Sequence, residues 1–400
     1  MTDAAEYPTT FRWDRLTYAS ALGFCMLVAG LSVGVVLGEL RDEFGLSGVL
    51  AALHGSTFGI GLLFVGTLGV RVVDRVGRRN ALIAAVSAIG VGVTLFSLGP
   101  AWPVTLAGTA FSGVGSATIV MVMPGLISDH HGPHRATAFA AVNGAPGLAG
   151  VAFSLLVGAA LAAGISWRVP YLALTGIIAA ATTLVALPVQ VPPGERHGSF
   201  SLRPLQQRSV RTPWLFIVNA VLTEFTVGIW AVAYLGEVGG ASDGLAPVVA
   251  AAFAVSMFAS RMVVSALQRV FGEYTVVAGF VGIGIGATVM CLAPGLPLKV
   301  VGLAMCGFAG GVLYPLTVDG LYRRAGDRLD SVALGAYCAL ASGVAVTLGP
   351  LALGVLADMV GLRWALLVVP VLATLGALTQ RPSSPQTPAD DAPGARSLVT

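Results

Sequence analysis

Charge is what this chain has least of. Of its 400 residues, 10% are Asp, Glu, Lys or Arg and 56% are hydrophobic, and the mean hydropathy is +0.86. Soluble domains carry about 25% charged residues, so a water-soluble globule of this length is excluded. Lysine is nearly missing: Lys299 is the single one among 22 basic residues. No basic stripe interleaved with aromatics marks a nucleic-acid surface, and no nucleic-acid partner is expected. Cys25, Cys291, Cys306 and Cys338 all lie inside apolar runs and lack a C-x-x-C spacing. That excludes a disulfide framework and a thiolate metal site, leaving small buried apolar groups. No cofactor motif is present. His130, His131 and His134 cluster after the fourth apolar run, but they read as a solvated loop, so no metal is expected.

What the chain does have is length of apolar run. A polar segment, 1–15, ends in Arg12, Asp14 and Arg15, and Leu16–Gly38 follows without an ionised residue except at its margins. A cleaved leader has an apolar core of only about 7–15 residues, whereas about 20 residues cross a bilayer, so this run reads as an uncleaved first helix. Charge-free stretches recur at 44–70, at 80–128 (broken by Gly99-Pro100-Ala101-Trp102-Pro103), at 136–167 and at 169–194. Pro192, Pro193 and Gly194 then introduce Arg196, Arg203, Arg208 and Arg211, the composition of a connector. Further runs lie at 213–235, 244–267, 274–292, 297–318, 331–357 and 364–380, before a Pro-, Ser- and Asp-rich tail. The reading is an all-α membrane protein of twelve transmembrane helices. Its parts are an N-terminal segment 1–15, a six-helix half 16–190, a connector 191–212, a second six-helix half 213–380 and a disordered tail 381–400.

The arginines set the orientation. With the N-terminus in the cytoplasm, Arg41, Arg168, Lys299 and Arg363 alone fall on the outer side, and all the other bases fall inside. Short cytoplasmic loops carry such an excess of Lys and Arg. Both termini are expected in the cytoplasm, and the membrane expected is the cytoplasmic one.

The two halves echo each other. Asp74-Arg75-Val76-Gly77 after the second helix is matched by Gln268-Arg269-Val270-Phe271-Gly272 after the eighth. The fifth helix carries Gly144, Pro146, Gly147 and Gly150, and the eleventh carries Gly349, Pro350 and Gly354. Each of these two ends near a Trp/Arg pair, Trp167-Arg168 and Arg363-Trp364. Paired six-helix repeats about an axis normal to the membrane are one way to build a transporter.

The segment Leu68-Gly69-Val70-Arg71-Val72-Val73-Asp74-Arg75-Val76-Gly77-Arg78-Arg79 resembles the signature between the second and third helices of the major facilitator superfamily. The Asp-Arg-x-Gly-Arg-Arg core matches, while the glycine expected four residues before Asp74 stands one place early, at Gly69. The resemblance implies a secondary transporter working by alternating access, with small-molecule substrate, protons and membrane lipids as partners, in a monomer. It implies that Asp74, Arg75, Gly77, Arg78 and Arg79 form a conformational latch, Asp74 meeting the start of the eleventh helix and the arginines pairing across the seam with Asp319, Asp327 or Asp330. The seventh helix (Glu224 to Tyr234) and the tenth (Gly307 to Pro315) are similar to helices of proton-coupled sugar symporters and also of exporters, which leaves direction open. Neither the first nor the fourth helix holds the acidic residue expected in such symporters.

Glu224 is the acid that falls at mid-membrane. A carboxylate there costs several kcal/mol unless it is paired, hydrated or protonated, and burial favours the protonated form. These are the properties of a proton-coupling group. A structural carboxyl, or a substrate contact in an uncoupled facilitator, are the other readings. A membrane-embedded enzyme would need a second catalytic group at that depth, and none is present. Gly144, Pro146, Gly147, Gly150, Gly349, Pro350 and Gly354 read as packing and hinge positions, because proline removes a helix hydrogen bond and glycine permits close approach. Asn143, Asn219, Trp230, Tyr234 and Tyr314 are polar or amphipathic groups at membrane depth and read as lining a central cavity. His54, near the outer end of the second helix, reads as a packed, hydrogen-bonded side chain.

Overall fold

The structure is a computed structural model that describes residues 11–28, 32–186, 189, 191, 201–325 and 331–380. Most of the expected connector, the tail 381–400, Asp327 and Asp330 lie outside these, as do the side chains of Asn143 and Gly144. The described residues fold into helices grouped as twelve passes. Pass α1 is broken: Arg15–Cys25 is followed by a 3-10 turn, Ser32–Val36, and by Leu37–Phe44. It therefore ends later than Gly38. The extension stays helical despite its charges because Gly45, at a positive φ of 61°, closes it with a left-handed cap. Pass α2 runs Gly48–Phe64, widens into a π-turn at Val65–Gly69, and continues as Val70–Val76. A π-turn carries one extra residue, and it lies where the signature glycine is displaced by one.

Then come α3 (Arg78–Leu98), α4 (Trp102–His131), α5 (Arg135–Ala162) and α6 (Arg168–Ala186). Pass α7 (Arg208–Glu237) starts before the expected position 213, so Pro213 lies inside it. Pass α8 is Leu245–Met262 continued by Val264–Phe271, and α9 is Thr275–Leu292. Pass α10 is Leu296–Gly311 continued by Leu313–Ala325, α11 is Ser331–Val360, and α12 is Leu362–Ala365 followed by Val368–Thr379.

The internal repeat is visible in side-chain detail. A methyl group on Gly92 of α3 would meet the Gly108 carbonyl of α4 at 2.5 Å, and one on Gly286 of α9 would meet the Gly302 carbonyl of α10 at 2.8 Å. Both hairpins therefore close backbone on backbone, which only glycine permits. Arg168, opening α6, donates from Nε to the Ser97 carbonyl at the end of α3 (2.8 Å), and Arg363, opening α12, donates to the Cys291 carbonyl at the end of α9 (2.9 Å).

We call the side holding the α2–α3 and α4–α5 turns the near face and the opposite side the far face. Contacts between α1–α6 and α7–α12 are tight at the far face and loosen toward the near face. Along α2 and α11, a methyl on Gly48 would lie 2.6 Å from Asp358, one on Gly59 2.4 Å from Thr347, but one on Gly66 only 3.7 Å from Ala339. Along α5 and α8, Gly158 would meet the Gly244 carbonyl at 2.6 Å, whereas Gly147 would lie 3.8 Å from Phe258 and Gly150 has nothing within 4 Å. Gly34 of α1 sits against the Ile229 backbone of α7 on the far side. Among the described residues, no packed interface joins α4 to α10. The halves are shut at the far face and splayed at the near one.

Candidate functional site

Glu224 lies on the seventeenth position of α7, about 20 Å from either end at 1.5 Å per residue. Its side chain is 11% exposed, and its Oε1 is 3.9 Å from Nη2 of Arg261. Gly310 of α10 leaves room for it: a methyl there would sit 3.9 Å from the glutamate Cγ. Arg261 was counted among the bases of the inner side when the sequence was read. It lies in the near-face part of α8 but not at its end, because the helix continues past Val263 to Phe271 and leaves Arg261 roughly 15 Å from that end. The signal was available, since Arg261 falls inside the apolar run 244–267.

Arg261 Nε donates to the Gly311 carbonyl at 3.3 Å, and no terminal guanidinium nitrogen donates to a described residue. The side chain is 40% exposed. It does not face lipid. Phe258, three residues earlier and so on the same face of α8, points at Gly147 of α5, across the seam. The exposure of Arg261 is therefore to the opening between the halves.

The other cavity positions behave differently. Trp230 and Tyr234, expected to line an opening, are fully buried at 0% exposure. Tyr234 donates its hydroxyl to the Met290 carbonyl at 2.8 Å and accepts from Lys299 at 3.3 Å. Both lie on the far-face half of α7, where the seam is closed. Asn219 is turned away, donating to the Leu372 carbonyl of α12 at 3.0 Å. Tyr314 is half-buried on α10 and interacts electrostatically with Glu224. One turn apart on α7, Thr226 Oγ1 and Trp230 Nε1 are buried without partners, as is Thr347 Oγ1 on α11.

The near-face loop also departs from expectation. Arg78 pairs with Asp129 of α4 at 2.5 Å, and Asp319 pairs with Arg323 one turn along α10 at 3.1 Å. Arg78 was expected to reach across the seam, but α3 and α4 are neighbours, so Asp129 is nearer, while the seam here is open. Asp74 is half-buried and forms no ion pair with a described residue. His54 is held as expected, by the Leu50 carbonyl (2.8 Å) and Thr105 Oγ1 (3.0 Å).

The histidines are not a solvated loop. Pass α4 extends through His131, which is buried and 2.9 Å from Thr17 Oγ1, while His130 Nε2 is 2.5 Å from Asp14 Oδ2. Asp14 caps α1, accepting from the Thr17 amide at 2.8 Å. Burial pushes its carboxyl up, but the hydrogen bonds from His130 and Thr17 outweigh that and hold it at about 2. The cluster fastens α1 to α4.

A group the sequence reading overlooked sits on the far face. Asp358, near the end of α11, accepts from the Gly48 amide (2.8 Å) and the Val49 amide (3.2 Å), while Ser47 accepts from Leu50 (3.3 Å). Three of the four free amides opening α2 are satisfied, two of them from the other half. Arg41 of α1 and Glu237 of α7 add an ion pair across the same face.

Residues 19–341 match the Major Facilitator Superfamily. A transporter of Sinorhizobium fredii described as uncharacterized, y4wD, is 30% identical over 175 residues, which cover 41% of this chain and 45% of that protein. The matched stretch thus spans less than half of that relative. Among solved structures, the nucleoside transporter NupG superposes with a TM-score of 0.77 at 11% identity, covering 91% of this chain and 97% of that one. A bacterial homolog of the human lysosomal transporter Spinster gives 0.71 at 16% identity, covering 91% and 94%. The E. coli fucose:proton symporter FucP gives 0.62 at 15% identity, covering 91% and 97%. These likenesses are of fold. With the helices, the seam and the signature loop already in place, the family match is decisive: this chain is a multi-pass membrane transporter of the major facilitator superfamily.

Proposed function

We propose that the protein is a secondary active transporter of a small molecule, coupled to protons through Glu224, with the near face in the cytoplasm of a cell's plasma membrane. The supporting observation is the Glu224–Arg261 pair at mid-depth. A lone buried carboxylate is costly, and the arginine offsets that cost only while it stays close. At 3.9 Å the pair is a loose contact rather than a bidentate clamp. A proton on Glu224 can replace the arginine as its neutralising partner, so binding a proton and moving Arg261 are linked.

Alternating access then rests on α2 and α11, which are antiparallel, so each ends in an aspartate beside the start of the other. Asp358 caps α2 when the far face is shut. Asp74 is the matching group for the start of α11 when the near face shuts. A carboxylate at a helix N-terminus gains typically 0.3–1 kcal/mol, enough to bias two states without freezing either.

Proton binding is tested by carbodiimide labelling of purified protein in lipid nanodiscs, since the reagent attacks protonated carboxyls in apolar surroundings. Peptide mapping should find Glu224 labelled at mildly acidic pH and progressively protected as pH rises. Labelling that is absent, or flat from mildly acidic to alkaline pH, removes Glu224 as the coupling group. Once a substrate is known, Glu224→Gln should keep substrate binding and lose gradient-driven transport.

A further inference from the structure

We infer that Arg261 is the binding site for an anionic group, a carboxylate, on the transported molecule, and that Glu224 occupies that site when it is empty. The inference rests on the coupling reading of Glu224 and names the substrate class for the same site.

Four observations converge. Arg261 lies inside the continuous pass α8, roughly 15 Å from its near end, and a guanidinium within a membrane helix is costly, so its retention marks function. Its exposure is to the near-face opening, because Phe258 on the same helix face points across the seam at Gly147 of α5 without close packing, a methyl built on that glycine lying 3.8 Å from the ring, and Gly150 has no neighbour within 4 Å. Its Nε is pinned to the Gly311 carbonyl at 3.3 Å, which fixes the plane of the guanidinium, while the two terminal nitrogens donate to no described residue. A guanidinium edge with free, coplanar N–H groups is the shape that binds carboxylates by two parallel hydrogen bonds. Finally, the one anion within reach among the described residues, Glu224 at 3.9 Å, is too far for such bonds.

The charge balance follows. Glu224 and Arg261 together are neutral. Protonating Glu224 leaves the arginine uncompensated, and an incoming carboxylate restores neutrality. A proton and a monoanion thus occupy the site together, and the net charge carried is zero. Among the described titratable groups, Tyr314 of α10 also interacts with Glu224, and Tyr322 of α10 and Cys338 of α11 lie beside Tyr314 in turn. None of these is an ionised acid or base at neutral pH, so they do not substitute for either partner.

The test is a thermal-shift and calorimetric panel on purified protein in nanodiscs. Acetate, lactate, benzoate, succinate and glutamate are compared with acetamide, lactamide, benzamide, succinamide and glutamine, at mildly acidic and mildly alkaline pH. At least one carboxylate should stabilise the protein, more strongly at the acidic pH, while its amide does not. Arg261→Gln should weaken that binding by about thirtyfold or more, the loss expected when one partner of a desolvated charge pair is removed. Arg261→Lys keeps the charge and guards against misfolding, and should bind more weakly than wild type but measurably. Glu224→Gln should bind the carboxylate at both pH values alike. The proposal falls if amides bind as well as carboxylates, if Arg261→Gln retains binding, or if no carboxylate binds wild type or Glu224→Gln at millimolar concentration. Carbodiimide labelling separates the two ideas. A titrating Glu224 with no carboxylate binding removes only the substrate class, and flat labelling with carboxylate binding removes only the proton coupling.

Discussion

Replacing Asp358 tests whether the far face is held shut by a helix cap borrowed from the other half. The carboxylate takes two amides of α2, one at 2.8 Å and one at 3.2 Å, and no other described side chain serves those two. Asp358 is exposed, so water replaces it when it leaves, and the desolvation penalty of a buried orphan does not apply. The relevant magnitude is that of an ordinary cap, typically about 1 kcal/mol on substitution by Ala. Spread over one equilibrium, about 1 kcal/mol is roughly a fivefold change in the ratio of far-closed to far-open molecules. Asp358→Asn keeps an acceptor for one amide and loses the charge, so it should fall between wild type and Asp358→Ala.

The assay is a spin-label distance across the far face. Ala163→Cys at the end of α5 and Ser242→Cys before α8 lie on opposite sides of the closed seam and are both exposed. The four native cysteines are replaced by alanine first. Wild type should give a dominant short distance, and Asp358→Ala should raise the long-distance fraction by the ratio above. An unchanged distribution in Asp358→Ala, with Asp358→Asn equally silent, would mean that the cap is incidental to gating.

Three further outcomes are expected. Asp74→Asn should act with the opposite sign, raising the near-face-open fraction, and a thiol probe placed in the first turns of α11 should then become more reactive. Topology reporters fused after residues 45, 101 and 240 should report the outer side and those after 78, 200 and 326 the cytoplasm; one inversion would undo the twelve-pass orientation. Glu39 of α1 has Asp243, from the other side of the closed seam, close by. Glu39→Gln removes that repulsion and should raise the far-closed fraction in the same spin-label measurement, and an unchanged fraction would mean that the two acids do not oppose closure.

Most of the fold was legible because a membrane simplifies the code. Runs of about 20 apolar residues cross it, and the arginine count gives an expected orientation without knowledge of packing. Glu224 stands out in the sequence for the same reason, as a charge where charges are costly. What stayed hidden depends on where helices end and on which helices are neighbours. Arg261 falls inside the apolar run 244–267 yet counts as an inner-side base by sign alone; its depth depends on where α8 ends, and one turn of helix moves a charge by about 5 Å. Asp129 was missed as the partner of Arg78 because pairing within one half depends on adjacency, which composition does not encode. His130 and His131 read as a loop because they follow the end of the fourth apolar run, yet Asp14 and Thr17 draw the end of α4 onto the start of α1.

Asp358 shows why the missing part was the informative part for mechanism. On its own it is one more acid at a helix end, unfavourable there by the helix dipole, with nothing in its neighbours to mark it. Its meaning comes from α2 running antiparallel beside α11, which sets the disfavoured end of one helix against the favoured end of the other. The same geometry holds at the near face for Asp74. A rigid-body rocking of the halves cannot satisfy both aspartates at once if it separates one end of this helix pair as it joins the other. In this structure the Asp358 contact is made and Asp74 has no partner among the described residues; in the proposed cycle the two acids are alternatives, each worth about 1 kcal/mol to one state, a bias on the few kcal/mol that separate such states. The mid-membrane pair sits between these two locks, and Arg261 on α8 and Glu224 on α7 belong to the same half. In the proposed cycle a proton or a carboxylate arriving there changes the charge along the seam without crossing it, which leaves the contacts of α2 with α11 as the elements that would convert this into which face is open.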